Sequence, residues 1–172
     1  MILISCDGSA DADAAIDRAA RLMPGAETLV LTVWEPFIDA MARNGGAMGM
    51  GYGMTSGYGL ADCDSIDATT RDQASATALA GAERASAAGL VAGARVESRT
   101  GDIASTILAV AAEIDAGVIV MGTRGHGNVK AWLLGSVSHA VVQHADRAVL
   151  IVPSTALSAR RHSHVHGVAA HA

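Results

Sequence analysis

Short apolar blocks alternate with amphipathic stretches along this chain, and their spacing predicts alternating strands and helices. Residues 1–6, MILISC, are nearly all apolar and read as a strand buried on both faces. Asp7-Gly8-Ser9 is a turn, and Ser9 or Asp11 is placed to cap a helix whose apolar side carries Ala14, Ile16, Ala19, Ala20 and Met23. Pro24-Gly25 stops that helix, and TLVLTVW at 28–34 is a β-branched second strand. A helical pattern returns over 65–89, with Ile66, Ala74, Ala78, Leu79, Ala82 and Ala85 toward the core. ARVES at 94–98 is a short polar strand of the kind found at a sheet edge. Asp102 opens the next helix, in which Ile103, Ile107, Val110 and Ile114 recur at spacings of four, three and four. GVIVM at 117–121 is a central strand, 137–144 is a helix with Val137, Val141 and His144 on one face, and 148–152 is a last strand closed by Pro153.

This order implies a single α/β domain over residues 1–153, with right-handed crossovers and helices on both faces of the sheet. The expected sheet is doubly wound, with five parallel strands ordered 3-2-1-4-5. In such a sheet ligands bind beyond the carboxyl ends of the strands, where the order reverses. Here that point lies between the ends of strands 1 and 4, which carry Asp7 and Gly122.

Two segments break the pattern. The stretch from about residue 40 to 64 is expected to be a long flexible loop, because its centre, NGGAMGMGYGMTSGYG at 44–59, is too rich in glycine for a regular element. Residues 154–172 read as a mobile tail with histidines at 162, 164, 166 and 171, a spacing that is also able to bind Zn²⁺ or Ni²⁺.

The richest chemistry lies at 117–138, GVIVMGTRGHGNVKAWLLGSVS. A strand that runs into a glycine-rich loop and then a helix start is suited to hold an anion, since loop amides approach phosphate closely and the first helical N–H groups have no internal partner. The loop is not a dinucleotide fingerprint, because Lys130 stands at the third glycine position, and the chain has no Walker A loop.

The spacing Gly122-x2-Gly125-x9-Gly135-Ser136 resembles the nucleotide-binding signature of the universal stress protein family, G-x2-G-x9-G-[ST], at every fixed position. The resemblance extends over 1–153: ILISCDGS at 2–9 is similar to the family's first strand and Asp-containing turn, and VLIVP at 149–153 to its last strand. It implies a Rossmann-like fold and a site for ATP or AMP, with Mg²⁺ on the phosphates as an optional companion. Amides of Gly122, Thr123, Arg124, Gly125, His126, Gly127 and Asn128 would wrap part of the phosphates. Gly135, Ser136 and Val137 would offer helix-start amides, and Ser136 and Ser138 their hydroxyls.

His126 and Asn128 match loop positions that line the phosphates in nucleotide-binding relatives, and Arg124 and Lys130 are placed to neutralise charge. Asp7 resembles the acidic residue beside the nucleoside or its metal, although it is equally a cap or turn former. Val33 falls where the family recognises adenine through backbone groups, although any core valine looks the same. Met121 either packs under the ribose or base or fills the core.

Composition narrows the alternatives. The 172 residues carry a net charge of −5 and no basic stripe, so nucleic-acid binding is not expected. Aromatics are only 3%, so the core is aliphatic. No apolar run reaches the ~20 residues of a membrane span, and residues 1–9 lack a signal-peptide pattern, so the expected compartment is the cytoplasm. Cys6 and Cys63 have no metal-ligand spacing, and Cys6 is better read as a small core residue than as a nucleophile.

No acid–base pair, triad or metal cluster is visible, so the expected role is a nucleotide-dependent stress sensor or regulator, with slow Mg²⁺-dependent ATP hydrolysis at most a side activity. The rivals are an adenylyl-transfer enzyme, for whose substrate domain the chain has no room, and a nucleotide-free interaction module working through residues 47–60. The apolar, unguarded last strand, Ala148–Val152, is expected to pair across a homodimer, as the family's last strand does.

Overall fold

The computed structural model describes residues 1–43, 60–123 and 134–153. The centre of the glycine-rich segment, most of the loop after strand 4 and the histidine-rich tail lie outside the described residues. Five strands, β1 (Ile2–Ser5), β2 (Glu27–Trp34), β3 (Val91–Ser98), β4 (Val118–Gly122) and β5 (Ala148–Val152), form one sheet in the order β3-β2-β1-β4-β5. Every pairing is parallel, with Ile4 beside Val30 on one side and Val120 on the other. The strands are joined by α1 (Ala10–Leu22), α2 (Phe37–Arg43), α3 (Leu60–Ala87), α4 (Ile103–Glu113) and α5 (Ser136–His144).

Alternation along β1 sends successive side chains to opposite faces, and each face is covered by helices. Ile2, Ile4 and Cys6 join Val30, Val120 and Val152 beneath α1 and α3. Leu3 joins Leu31, Ile119 and Met121 beneath α4 and α5, against Ile107, Val110 and Val141. Both clusters are aliphatic, as the scarcity of aromatics requires. Among the described residues no helix is long and apolar enough to cross a membrane.

Several element details depart from the sequence pattern. The buried stripe of α1 is Ala12, Ala15, Ile16, Ala19 and Ala20, with Ala14 and Met23 only half-buried. In α3, Leu79 is 56% exposed, and the sheet-facing row is Ala74, Ala78, Gly81, Ala82 and Ala85. Small residues are needed there because α3 lies very close to the sheet: a Cβ on Gly81 would stand 3.0 Å from Val30 and 3.1 Å from the Cys6 sulfur. α3 also starts five residues earlier than the apolar pattern predicts, at Leu60.

The expected loop from residue 40 to 64 is bounded by helix on both sides, because α2 occupies residues up to Arg43. Pro36 ends β2 and also opens α2, since its carbonyl accepts from the amides of Asp39 and Ala40 while its missing N–H costs nothing at a helix start. Asp67 of α3 accepts from the Phe37 amide at 2.6 Å and so ties α2 to α3. β3 is an edge strand as expected, but runs eight residues beside β2 instead of five.

At the amino ends of the strands, Arg147 clamps the end of α4. Its guanidinium donates to the carbonyls of Ala111 (2.7 Å) and Ala116 (2.9 Å), a cation at the negative pole of the helix. Asp115, just past that helix, takes the left-handed conformation at φ 48°.

Among the described glycines, the closest approach is at Gly122. A Cβ built there would lie 2.7 Å from the Cβ of Asp11 and 2.8 and 2.9 Å from its carbonyl carbon and oxygen. Glycine at this position therefore admits the first turn of α1 against the end of β4. Gly122→Ala is expected to lower stability by about 2–4 kcal/mol, because backbone has to move. Gly93→Ala, where a Cβ meets nothing within 4 Å, is expected to change it by less than about 1 kcal/mol. Urea unfolding midpoints of the two variants measure the contrast.

Candidate functional site

The strand order reverses between β1 and β4, so the crevice beyond their carboxyl ends is bordered by the β1–α1 turn, the residue after β4 and the start of α5. Asp7 follows β1 with an exposed carboxylate. Its Oδ1 accepts from the Ser9 amide at 3.0 Å, a turn that Gly8 completes at φ +77°. The turn-forming role of Asp7 is thus present in the fold, and its carboxylate stands at the crevice. Ser9, not Asp11, caps α1, accepting from the Ala12 amide at 3.3 Å.

Thr123 is the junction of the site. It is 5% exposed and lies directly after β4. Its amide donates to the Val152 carbonyl at 3.1 Å, which continues the β4–β5 pairing by one residue. Its carbonyl accepts from the Gly135 amide and from the Ser138 hydroxyl, both at 2.8 Å. Its own hydroxyl donates to Asp11 of α1. One residue therefore fixes β5, α1 and the start of α5 together.

This geometry revises the expectation that the Gly135 amide is offered at the helix start. Gly135, with φ −62° and ψ 158°, occupies the N-cap position without a side-chain cap, and Ser136 is the first helical residue. The Gly135 amide is engaged by Thr123, which leaves the amides of Ser136, Val137 and Ser138 as the donors without an intrahelical acceptor. The Ser138 hydroxyl, 2% exposed, has one proton, and it faces the carbonyls of Thr123 and Gly135. In this structure the Ser138 hydroxyl is thus engaged within the turn. Ser136 is exposed and is the first residue of α5.

α5 differs in this from the other capped helices. α1 is closed by Ser9, and α4 by Asp102, whose carboxylate accepts from the Ser105 amide at 2.8 Å. That amide is also the main reason the Asp102 carboxyl is held below its ordinary pKa.

Val137 and Val33 are half-buried and pack against the α4–α5 cluster, with Val33 at the carboxyl end of β2 beside Glu97 of β3. Met121 is 5% exposed inside that cluster, so core filling is the role the structure gives it. Arg124, Gly125, His126, Gly127, Asn128 and Lys130 lie outside the described residues.

On the rim, Glu35 accepts from Arg43 of α2 and Arg99 after β3, while the Arg99 amide donates to the Trp34 carbonyl at 2.7 Å. Among the described residues, no three or more of His, Cys, Asp and Glu gather where they could share a metal ion. Thr123 enters the sequence reading only as one amide of the 122–128 run, and the structure gives that amide to the Val152 carbonyl instead of a phosphate; the buried position of Asp11 escapes a reading for chemistry. The available signal was Asp11 standing at the head of the buried row 11, 15 and 19 of α1.

The scan against family models matches the universal stress protein family over residues 1–153. No curated protein matches the chain. Among solved structures, a universal stress protein from Archaeoglobus fulgidus is 20% identical, with a TM-score of 0.60 over 88% of this chain and 96% of that one. A universal stress protein in complex with cAMP is 22% identical, at 0.57 over 90% and 96%. The Archaeoglobus fulgidus protein in complex with dAMP is 19% identical, at 0.55 over 88% and 95%. At these identities the likeness is one of fold.

Cys6, beside this turn, is buried, and burial foremost pushes its thiol above the ordinary range, with the charges of Asp7 and Asp13 adding to the rise against a backbone hydrogen bond at Gly8. In the native protein at pH 8, an aromatic disulfide reagent is expected to label the half-exposed Cys63 rapidly and Cys6 only after unfolding. Peptide mass mapping after timed labelling reads the two sites separately.

Proposed function

We propose that this chain, which belongs to the universal stress protein family, binds an adenine nucleotide, ATP or AMP, with its phosphates at the open start of α5. The observation that carries this reading is that α5 begins without a side-chain cap, tied to the carboxyl end of β4, the strand beside β1 at the topological switch point. A helix start of this kind presents unpaired amides and the positive pole of the helix dipole to an anion. The family signature at Gly122, Gly125, Gly135 and Ser136 supports it, as do the cAMP and dAMP bound by structural neighbours.

In this reading the amides of Ser136, Val137 and Ser138 and the Ser136 hydroxyl take phosphate oxygens. The loop from Arg124 to Lys130 wraps the remainder, and Val33 offers backbone groups to adenine. Asp7 suits a Mg²⁺ ion shared with the phosphates, since Mg²⁺ characteristically uses one or two carboxylates together with phosphate oxygens. Such an ion would neutralise phosphate charge. Nucleotide occupancy would then regulate a cytoplasmic stress response through the assembly or partners of the protein, without catalysis as its main purpose.

The β5 edge supports a homodimer. Val149, Leu150 and Ile151 are half-buried at the end of the sheet order, and Val142 of α5 is exposed. A second copy pairing there would cover an apolar edge. Sedimentation at micromolar concentration is expected to give twice the chain mass; a monomer counts against the pairing.

The site is tested by Gly135→Asp. The φ and ψ of Gly135 suit any residue, and a carboxylate there caps α5 itself while occupying the anion position. The purified wild type is expected to release ATP or AMP on denaturation, identified by mass, or to bind added Mg-ATP. The variant is expected to lose at least about tenfold in affinity while its melting temperature holds or rises, since the new cap contributes about 1 kcal/mol. An empty wild type that also ignores Mg-ATP refutes the nucleotide reading.

A further inference from the structure

The buried polar side chains among the described residues are Asp11, Thr28, Thr32, Thr106, Thr123 and Ser138. Thr28 and Thr32 each donate to a nearby backbone carbonyl, and Thr106 serves the start of its own helix. The other three form one relay across the switch point: Ser138 donates to the Thr123 carbonyl, and Thr123 donates to the Asp11 carboxylate.

A carboxylate at Asp11, 9% exposed and heading the buried row of α1, is a poor choice for stability alone. Burying a charge is costly, and apolar replacement of buried charged groups is often neutral or stabilising. The first turn of α1 offsets part of that cost through its dipole. What the carboxylate does accomplish is to fix the side chain of Thr123 by a charge-assisted hydrogen bond, on a residue whose β-branching already restricts χ1. The carbonyl of the same residue sets where Gly135 and Ser138 lie, and therefore where the amides of Ser136, Val137 and Ser138 point.

We propose that Asp11 and Thr123 are positioning residues for the phosphate-binding start of α5, acting through the Thr123 carbonyl and not by contact with the ligand. The inference rests on the nucleotide reading above. It assigns the recognition of phosphate, as distinct from nucleoside, to a relay that begins on α1.

The test compares AMP with adenosine by titration of wild type, Thr123→Val, Thr123→Ser, Asp11→Asn and the double variant Asp11→Ala/Thr123→Val, with amide hydrogen exchange at Gly135 as a ligand-free readout. Thr123→Val and the double variant are expected to weaken AMP about fivefold to tenfold, the worth of one well-placed hydrogen bond, while adenosine is unchanged. The Gly135 amide is expected to exchange faster in both. Thr123→Ser and Asp11→Asn, which keep the hydroxyl and an acceptor, are expected to stay near wild type. The double variant removes the unpaired carboxylate that would otherwise destabilise Thr123→Val.

Equal losses for AMP and adenosine, tracking a lower melting temperature, would reduce the pair to a structural role and overturn the proposal. So would wild-type AMP affinity in a folded double variant. A wild type that binds neither ligand overturns the nucleotide reading and this role with it, whereas a wild type that binds AMP beside an unaffected double variant overturns this role alone.

Discussion

The contact of α1 with the end of β4 is the constraint on which the rest of the architecture depends. Gly122 lets the backbone of Asp11 come within van der Waals reach, and Thr123 then spends its amide, carbonyl and hydroxyl on β5, α5 and α1 in turn. A side chain at residue 122 would push α1 away, and the Asp11–Thr123 hydrogen bond would go with it. The two residues after the central strand thus couple the packing of one sheet face to the helix start on the other. Glycine here has a packing reason that is separate from any approach of a ligand.

The two ends of the sheet are treated differently. At the amino ends, polar groups are closed off: Arg147 fills the carbonyls at the end of α4. At the carboxyl ends, α1 and α4 close their own first turns with Ser9 and Asp102, but α5 begins at a glycine. A side-chain cap takes up one of the free first-turn amides of its helix. The uncapped one retains its donors and its dipole, and it sits where strand order reverses. The Glu35–Arg43–Arg99 cluster and the Asp67 contact to α2 brace the rim of the same end.

Much of this was legible in the chain. Period and length separate strands from helices, and the resulting alternation fits a doubly wound sheet ordered 3-2-1-4-5, which is the order the structure has. The Asp102 cap was readable from a carboxylate ahead of the Ile103, Ile107 and Val110 stripe. Residues 37–43 were not readable as helix, because the glycine run that follows masked a pattern only seven residues long. Leu79 was assigned to the core because a leucine scores as apolar wherever it stands; α3 lies so close to the sheet that alanine and glycine fill the contact instead. The site was legible as a motif, at Gly122, Gly135 and Ser136, but not in its division of labour.

By itself, then, the sequence determined the element order and the family to which the glycine spacing belongs, since these depend on local period and on residues close in the chain. Only the tertiary structure decided that Ser138 and the Gly135 amide are consumed by Thr123, that Met121 fills the core, and that Asp11 is buried against the end of β4. Hydrogen-bond partners more than a hundred residues apart, as Asp11 and Thr123 are, leave no periodic trace. A donor's availability is set by what folds against it, and that is known only once the chain has closed on itself.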